Sequence, residues 1–131
     1  CQTILPKLKT DLFEISDACV NKNLDKSDIE WFKDKCICVV LCSKGYPDKF
    51  ENDIEIENLE NIKLKQNEFI FHAGTKNIKN KILSNGGRVL NFVIRSDNFK
   101  NARNDIIKII NQLNWRGGFF RKDIGYKVID K

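Results

Sequence analysis

Two glycine-containing segments hold the residues best suited to bind an anion. The first is His72-Ala73-Gly74-Thr75, and the second, residues 84–90, reads Ser-Asn-Gly-Gly-Arg-Val-Leu. Glycine lets bare backbone approach a ligand, and the guanidinium of Arg88 offers phosphate or carboxylate a planar, permanently charged fork. The pattern therefore predicts an anion site built on a hairpin. The alternative is that Asn-Gly-Gly is only a tight turn and Arg88 a solvated strand residue, and the residue pattern leaves both open.

Two further groups of side chains could carry chemistry. Histidine can serve as a general base, but no cysteine, serine or acid stands beside His72 in a nucleophile motif. The sequence therefore favours a packed, hydrogen-bonded histidine over a general base. Arg121 and Asp123 follow two phenylalanines and precede Ile124-Gly125. They are predicted to pair across a charged turn, and a functional role is the alternative because an exposed pair adds little stability.

The chain lacks the motifs of nucleotide and metal chemistry. It contains no Walker-type loop, no dinucleotide fingerprint and no carboxylate pair at metal-binding spacing. This pattern indicates a lid or substrate-holding part rather than a complete enzyme. The chain also contains no methionine, so we expect it to be a segment of a longer protein.

Five cysteines are present, and three of them share one side of a predicted strand. Cys36, Cys38 and Cys42 alternate with apolar residues in the run 35–43. Zinc would need ligands converging from separated loops, which strand neighbours do not supply. An odd cysteine count without a secretory leader predicts reduced thiols and a cytoplasmic setting.

Charge and hydropathy limit the classes of partner that we expect the chain to bind. The formal net charge is +5 and the pI is near 9.0, a balance that suits nucleic acid or phosphorylated metabolites. The basic residues are spread along the chain without a dense block, so no nucleic-acid surface is expected. No apolar run reaches the roughly 20 residues of a membrane span, so no membrane partner is expected.

The elements that must position these residues follow from periodicity. A helix is predicted from Ile4 or Leu5 to residues 21–23, and a buried strand over 35–43 is followed by a turn at 43–47. Residues 51–68 are predicted to form short extended pieces and one turn of helix. Strands over 79–84 and 88–95 are predicted to flank residues 85–87 as a hairpin.

The last third of the chain completes the predicted architecture. Asp97 or Asn98 should cap a helix whose apolar residues recur at steps of three and four, and a final extended piece should end the chain. The predicted fold is α+β: a small, mostly antiparallel sheet with one covering helix, preceded by a helix from another domain.

Four ordered motifs resemble a known family. They are Cys-Ile-Cys-Val-Val-Leu-Cys-Ser-Lys-Gly-Tyr-Pro (36–47), Phe-His-Ala-Gly-Thr (71–75), Asn-Gly-Gly-Arg-Val-Leu (85–90) and Phe-Phe-Arg-Lys-Asp-Ile-Gly-Tyr (119–126). Together they resemble the carboxy-terminal region of the phosphoribosylamine–glycine ligases, ATP-grasp enzymes of purine synthesis. The resemblance implies that residues 1–34 end an ATP-grasp domain and that residues 35–131 form a carboxy-terminal substrate-closing domain.

The same resemblance implies the chemistry. Members of the family join glycine to 5-phosphoribosylamine with ATP and Mg²⁺ (or Mn²⁺), and the metal ligands lie upstream of the residue that matches Cys1. The implied partners are 5-phosphoribosylamine, glycine, ATP and the ATP-grasp core, in the cytoplasm. This segment should be inactive alone.

Site residues carry over by position within those motifs. Arg88 matches an arginine that contacts the ribonucleotide phosphate in related ATP-grasp enzymes. Gly86 and Gly87 shape the approach, and Gly74 and Thr75 border the same pocket. The alternative readings are a stand-alone anion-binding or RNA-binding module and an assembly domain that docks through its first helix.

Overall fold

The computed structural model describes residues 1–129. Its strands are β1 Lys35–Ser43, β2 Glu68–His72, β3 Thr75–Ile78, β4 Lys81–Ser84, β5 Arg88–Ser96 and β6 Gly118–Phe119. Its helices are α1 Leu12–Val20, α2 Phe99–Ile110 and α3 Tyr126–Ile129, with 3₁₀ turns at Leu5–Lys7 and Leu24–Lys26. None of the described helices is long and apolar enough to cross a membrane.

A four-stranded antiparallel sheet covered by one helix forms the core. The strand order is β2-β5-β1-β6. On β1, residues alternate between half-buried and buried, and the buried side packs with β5 under α2. The α+β prediction is confirmed, and the buried strand over 35–43 has its predicted bounds. The buried core residues are Ile37, Val39, Leu41, Leu90, Phe92, Ile94, Ala102, Ile106, Ile109 and Ile110.

Helix α2 is stabilised by a capping residue at its start and by a stripe of buried apolar residues along one face. The side-chain oxygen of Asn98 accepts a 2.8 Å hydrogen bond from the backbone N–H of Asn101. This bond satisfies one of the free donors at the helix start. The buried positions within the helix recur at steps of three and four, as predicted.

Strands β2 to β5 form one long hairpin with a bend in the middle. β3 pairs only with β4, whereas β2 and β5 pair in the main sheet. The tip is Lys79-Asn80, where both residues have positive φ (51° and 62°) and so make a tight two-residue turn. The prediction of a hairpin turn at residues 85–87 is therefore wrong. The glycines instead lie at the bend, where the two chain segments approach each other closely.

The amino-terminal helix is shorter than predicted. Leu8 is extended and bridges Trp31, and the helix begins only at Leu12, where the Asp11 carboxylate accepts a 2.7 Å hydrogen bond from the N–H of Phe13. No residue of α1 is buried. The apolar spacing of residues 5–19 thus spans a 3₁₀ turn, an extended link and a helix, and the prediction of one helix is wrong.

Two smaller predictions also differ from the structure. Residues 51–67 are mostly irregular, with isolated bridges at Glu55 and Glu57, and a turn near Leu59 replaces the predicted helical turn. The predicted final extended piece is instead the short helix α3, which begins after the positive-φ Gly125. The last two residues of the predicted 35–131 domain lie outside the described residues.

Candidate anion-binding clefts

Two adjoining clefts lie on the face of the sheet opposite α2. The first, which we call the polar cleft, encloses about 560 Å³, and the second, the apolar cleft, encloses about 370 Å³. Gln2, Phe50, Ala73, Gly74, Gly87 and Asn91 line only the polar cleft. Val39, Cys42, Pro47, Phe119, Phe120, Arg121 and Ile124 line only the apolar cleft. Cys38, Val40, Tyr46 and Arg88 border both.

The polar cleft is built by the bend of the long hairpin. A β-carbon at residue 74 would stand 2.7 Å from the carbonyl oxygen of Arg88, so only glycine permits this approach. The backbone N–H groups of Gly74, Gly86 and Gly87 have no backbone acceptor among the described residues. The bend thus brings the two predicted glycine segments together, with Gly74 and Gly87 lining the polar cleft and Gly86 lining neither cleft.

Arg88 is the cation of both clefts. It begins β5, is exposed, and forms no salt bridge with any carboxylate among residues 1–129. A guanidinium without a carboxylate partner is available to phosphate, which it binds with two parallel hydrogen bonds. Arg88, Gly74 and Gly87 lie together as the sequence predicts.

Thr75 and His72 form a pair beside the bend but line neither cleft. The Nδ1 of His72 and the Oγ1 of Thr75 share a 2.8 Å hydrogen bond. His72 is exposed, so its predicted hydrogen bond is present and its predicted packing is wrong. The reason is that β2 lies at the edge of the sheet, where the end of the strand faces solvent.

Arg121 and Asp123 pair as predicted. The Nε and Nη2 of Arg121 donate hydrogen bonds of 3.0 and 2.6 Å to the two carboxylate oxygens of Asp123. The hydrogen bond from Arg121 lowers the pKa of Asp123, and the same bond raises the pKa of Arg121. The fold also brings Arg121 into the apolar cleft with Arg88, although 33 positions separate them in sequence.

The strand thiols are poor nucleophiles and form no metal site. Burial raises the pKa of Cys38 to about 11, and burial also raises the pKa of Cys36 and Cys42. Thiols with raised pKa are protonated near neutral pH and react slowly. Residues 1–129 hold no group of three or more His, Cys, Asp or Glu side chains that could bind a metal ion. The described residues therefore would not hold the magnesium of the family's reaction, whose ligands the resemblance puts upstream of Cys1.

Sequence reasoning missed the residues that contact the segment before Arg88. Ser43 at the end of β1 and Tyr46 in the turn after it both contact residues 86–87. Gln2 and Asn91 line the polar cleft from the amino-terminal turn and from β5. The turn chemistry of residues 43–47 was visible in the sequence, but nothing in it shows where that turn packs.

Fold and clefts together define a small α+β domain with an arginine-bordered cleft on the uncovered face of its sheet. Its sequence matches the family model described as phosphoribosylglycinamide synthetase, C domain, over residues 36–127. The chain belongs to this family.

Relatives place the match in the carboxy-terminal part of longer proteins. A phosphoribosylamine–glycine ligase of Caldanaerobacter subterraneus is 40% identical over 123 residues, which cover 94% of this chain and 29% of that protein. The trifunctional purine biosynthetic protein adenosine-3 of Gallus gallus is 39% identical over 130 residues, covering 98% and 13%. The chain thus spans less than a third of the length of each of these relatives.

A solved structure shares the fold. The crystal structure of phosphoribosylamine–glycine ligase from Thermotoga maritima superposes with a TM-score of 0.62 at 27% identity. The match covers 84% of this chain and 27% of that one.

Proposed function

We propose that this chain is the carboxy-terminal, substrate-closing part of a phosphoribosylamine–glycine ligase and that its polar cleft holds the phosphate of 5-phosphoribosylamine. One observation carries the proposal. The family match over residues 36–127 includes the bend of the long hairpin, where Gly74, Gly87 and Arg88 all line the polar cleft. A ligase of this family activates glycine with ATP, and the amine of phosphoribosylamine then forms the new carbon–nitrogen bond.

The phosphate is held by charge and by backbone donors together. Arg88 has no carboxylate to neutralise it among the described residues, and the N–H groups of Gly74, Gly86 and Gly87 lie at the same bend. Backbone donors in a concave turn complement an arginine in binding phosphate. Thr75 supports this bend from outside the cleft through its bond to His72.

The apolar cleft supplies a second cation. Arg121 is fixed by two hydrogen bonds to Asp123 and faces the cleft that Arg88 borders. We assign this pair to the substrate side of the domain because a guanidinium already held in position loses less entropy on binding an anion.

The reacting groups lie elsewhere in the proposal. In this proposal ATP and Mg²⁺ (or Mn²⁺) bind to the ATP-grasp core, because the family resemblance puts the metal ligands upstream of the residue that matches Cys1. This chain therefore binds and orients the ribosylamine in the cytoplasm but does not catalyse the reaction alone. No nucleic-acid or membrane partner is part of the proposal.

Residues 1–34 are proposed to complete the ATP-grasp core, with residues 35–131 as the closing domain. Phe13 and Val20 on α1 are 77% and 80% exposed, and no residue of that helix is buried. A helix that buries nothing within its own chain is stabilised when another surface covers its apolar side chains. Gln2 lines the polar cleft, which supports a position of residues 1–34 beside the proposed substrate site.

Substitution of Arg88 in the full-length ligase tests the proposal. Arg88→Ala should raise the KM for phosphoribosylamine about tenfold to a hundredfold, the cost of one charged hydrogen-bonding group. The KM for ATP and the KM for glycine should stay near their original values. Arg116→Ala is the matched control, because Arg116 is exposed and lines neither cleft. An unchanged KM for phosphoribosylamine would show that the assignment of Arg88 is wrong.

A binding assay tests the alternative of an RNA-binding module. The isolated chain is titrated with single-stranded RNA at two salt concentrations. Affinity that falls steeply with salt would favour that alternative over a ligase domain, because released counterions drive nucleic-acid binding. We expect no such binding.

A further inference from the structure

Tyr46 packs directly against the glycine that precedes Arg88. A β-carbon at residue 87 would stand 2.7 Å from the Cε2 of Tyr46 and nearer still to its Cδ2. The ring therefore occupies the space that any side chain at residue 87 would need. Glycine is required at residue 87 because an aromatic ring covers it.

The backbone of the same turn is fastened to the glycine segment. The N–H of Ser43 donates a 2.8 Å hydrogen bond to the carbonyl of Gly87, and its Oγ donates one of 2.8 Å to the carbonyl of Gly86. Ser43 is fully buried, so these bonds are shielded from water. The N–H of Tyr46 in turn donates to the carbonyl of Ser43 at 3.1 Å.

The ring of Tyr46 also has support on the side of the polar cleft. Its centroid lies 6.3 Å from that of Phe50 at an interplanar angle of 56°, within the range of favourable aromatic pairs. Phe50 lines the polar cleft, whereas Tyr46 borders both clefts together with Arg88. Tyr46 therefore borders the same two clefts as Arg88, the residue to which we assign the phosphate.

We propose that Tyr46 is a positioning residue for the sugar phosphate. Its ring holds the segment 86–87 so that Arg88 faces the phosphate, and it gives the ribose an apolar wall. This inference rests on the proposed function, since it takes the ligand to be phosphoribosylamine. A small displacement of a positioned cation costs a large factor in binding, so the ring acts through Arg88 without touching the reacting atoms.

The experiment compares substitutions at Tyr46 in the full-length ligase. Tyr46→Leu keeps an apolar side chain of moderate volume, Tyr46→Ala removes the ring, and Tyr46→Phe removes only the hydroxyl. The matched control is Tyr126→Ala, which changes the other tyrosine of the chain at a position that lines neither cleft. Each variant is assayed for kcat and KM and titrated calorimetrically with ribose 5-phosphate, which lacks the reactive amine.

We expect Tyr46→Ala and Tyr46→Leu to raise the KM for phosphoribosylamine and the Kd for ribose 5-phosphate about tenfold, with kcat nearly unchanged. Tyr46→Phe should retain both values near wild type, because the ring rather than the hydroxyl contacts Gly87. Tyr126→Ala should behave as wild type. Thermal midpoints of all variants show which proteins are folded, and Tyr46→Leu provides the comparison if Tyr46→Ala does not fold.

Three outcomes would overturn the inference. If Arg88→Ala weakens ribose 5-phosphate binding but folded Tyr46→Leu does not, the positioning role is wrong and the proposed function stands. If Tyr46→Phe is as impaired as Tyr46→Leu, the hydroxyl rather than the ring is responsible. If the wild-type ligase neither binds ribose 5-phosphate nor uses phosphoribosylamine, the proposed function fails and this inference fails with it.

Discussion

Gly74 lies so close to Arg88 that a β-carbon on residue 74 would stand 2.7 Å from the Arg88 carbonyl oxygen. The same β-carbon would stand 3.1 Å from the Cα of Gly86. Both neighbours are backbone atoms, which cannot rotate away as a side chain can. The bend of the long hairpin therefore depends on the absence of a side chain at residue 74.

Gly74→Ala should open this bend. We expect the free energy of unfolding of the chain to fall by about 1–3 kcal/mol, the usual cost of forcing an extra carbon into a packed site. Urea denaturation measures the change, and Asn77→Ala on the exposed arm of the hairpin serves as control. Equal stability of Gly74→Ala and wild type would mean that the backbone separates there at no cost.

Arg121→Ala and Asp123→Asn should separate stability from function. Both side chains are exposed, so the loss of their pair should leave the thermal midpoint of the chain nearly unchanged. In the full-length ligase we expect both substitutions to raise the KM for phosphoribosylamine, because Arg121→Ala removes the cation from the apolar cleft and Asp123→Asn weakens the hydrogen bonds that orient it. Steady-state kinetics measure the KM for phosphoribosylamine. A wild-type KM for both variants would contradict a role of this pair in substrate binding.

Phe13→Asp should affect the full-length ligase and not the isolated chain. Phe13 is 77% exposed here, so the chain alone loses almost no burial. If the ATP-grasp core covers α1, the substitution buries a charge and should destabilise the full-length protein by about 1–3 kcal/mol. Thermal unfolding of both forms measures this difference. Glu14→Gln on the same helix is the control, and equal behaviour of the two forms would contradict the proposed contact.

Alkaline pH should destabilise the chain through Cys38. Burial raises the pKa of this thiol from 9.0 to about 11, so its contribution to stability is complete below pH 9. It is lost as pH rises toward 11, because the unfolded thiol ionises first and then binds fewer protons than the native one. Urea midpoints at about pH 8 and pH 10.5 should fall less for Cys38→Val than for wild type. The exposed Cys19→Ser should follow wild type, and parallel slopes for all three proteins would contradict the assignment.

Local sequence patterns were sufficient to predict the strand and the helix in which buried residues recur at a regular spacing. The alternation in residues 35–43 and the three–four spacing after Asn98 predicted β1 and α2 because each packs one face on the same core. The pairing of Arg121 with Asp123 was equally predictable, since two positions in one turn bring the side chains together. Periodicity gave a wrong prediction for residues 4–23. Apolar residues recur there at steps of three and four across a 3₁₀ turn and an extended link, although these are not α-helical.

Only the tertiary structure decided how these pieces form a site. The glycines of residues 85–87 look like a hairpin tip, yet the tip is Lys79-Asn80, because β4 pairs with β3 while β5 pairs with β1 and β2 in the main sheet. The same pairing brings Gly74 to Arg88, and the turn after β1 carries Tyr46 onto Gly87. Residue types thus identified the candidate anion-binding groups, whereas long-range strand pairing determined which of them meet.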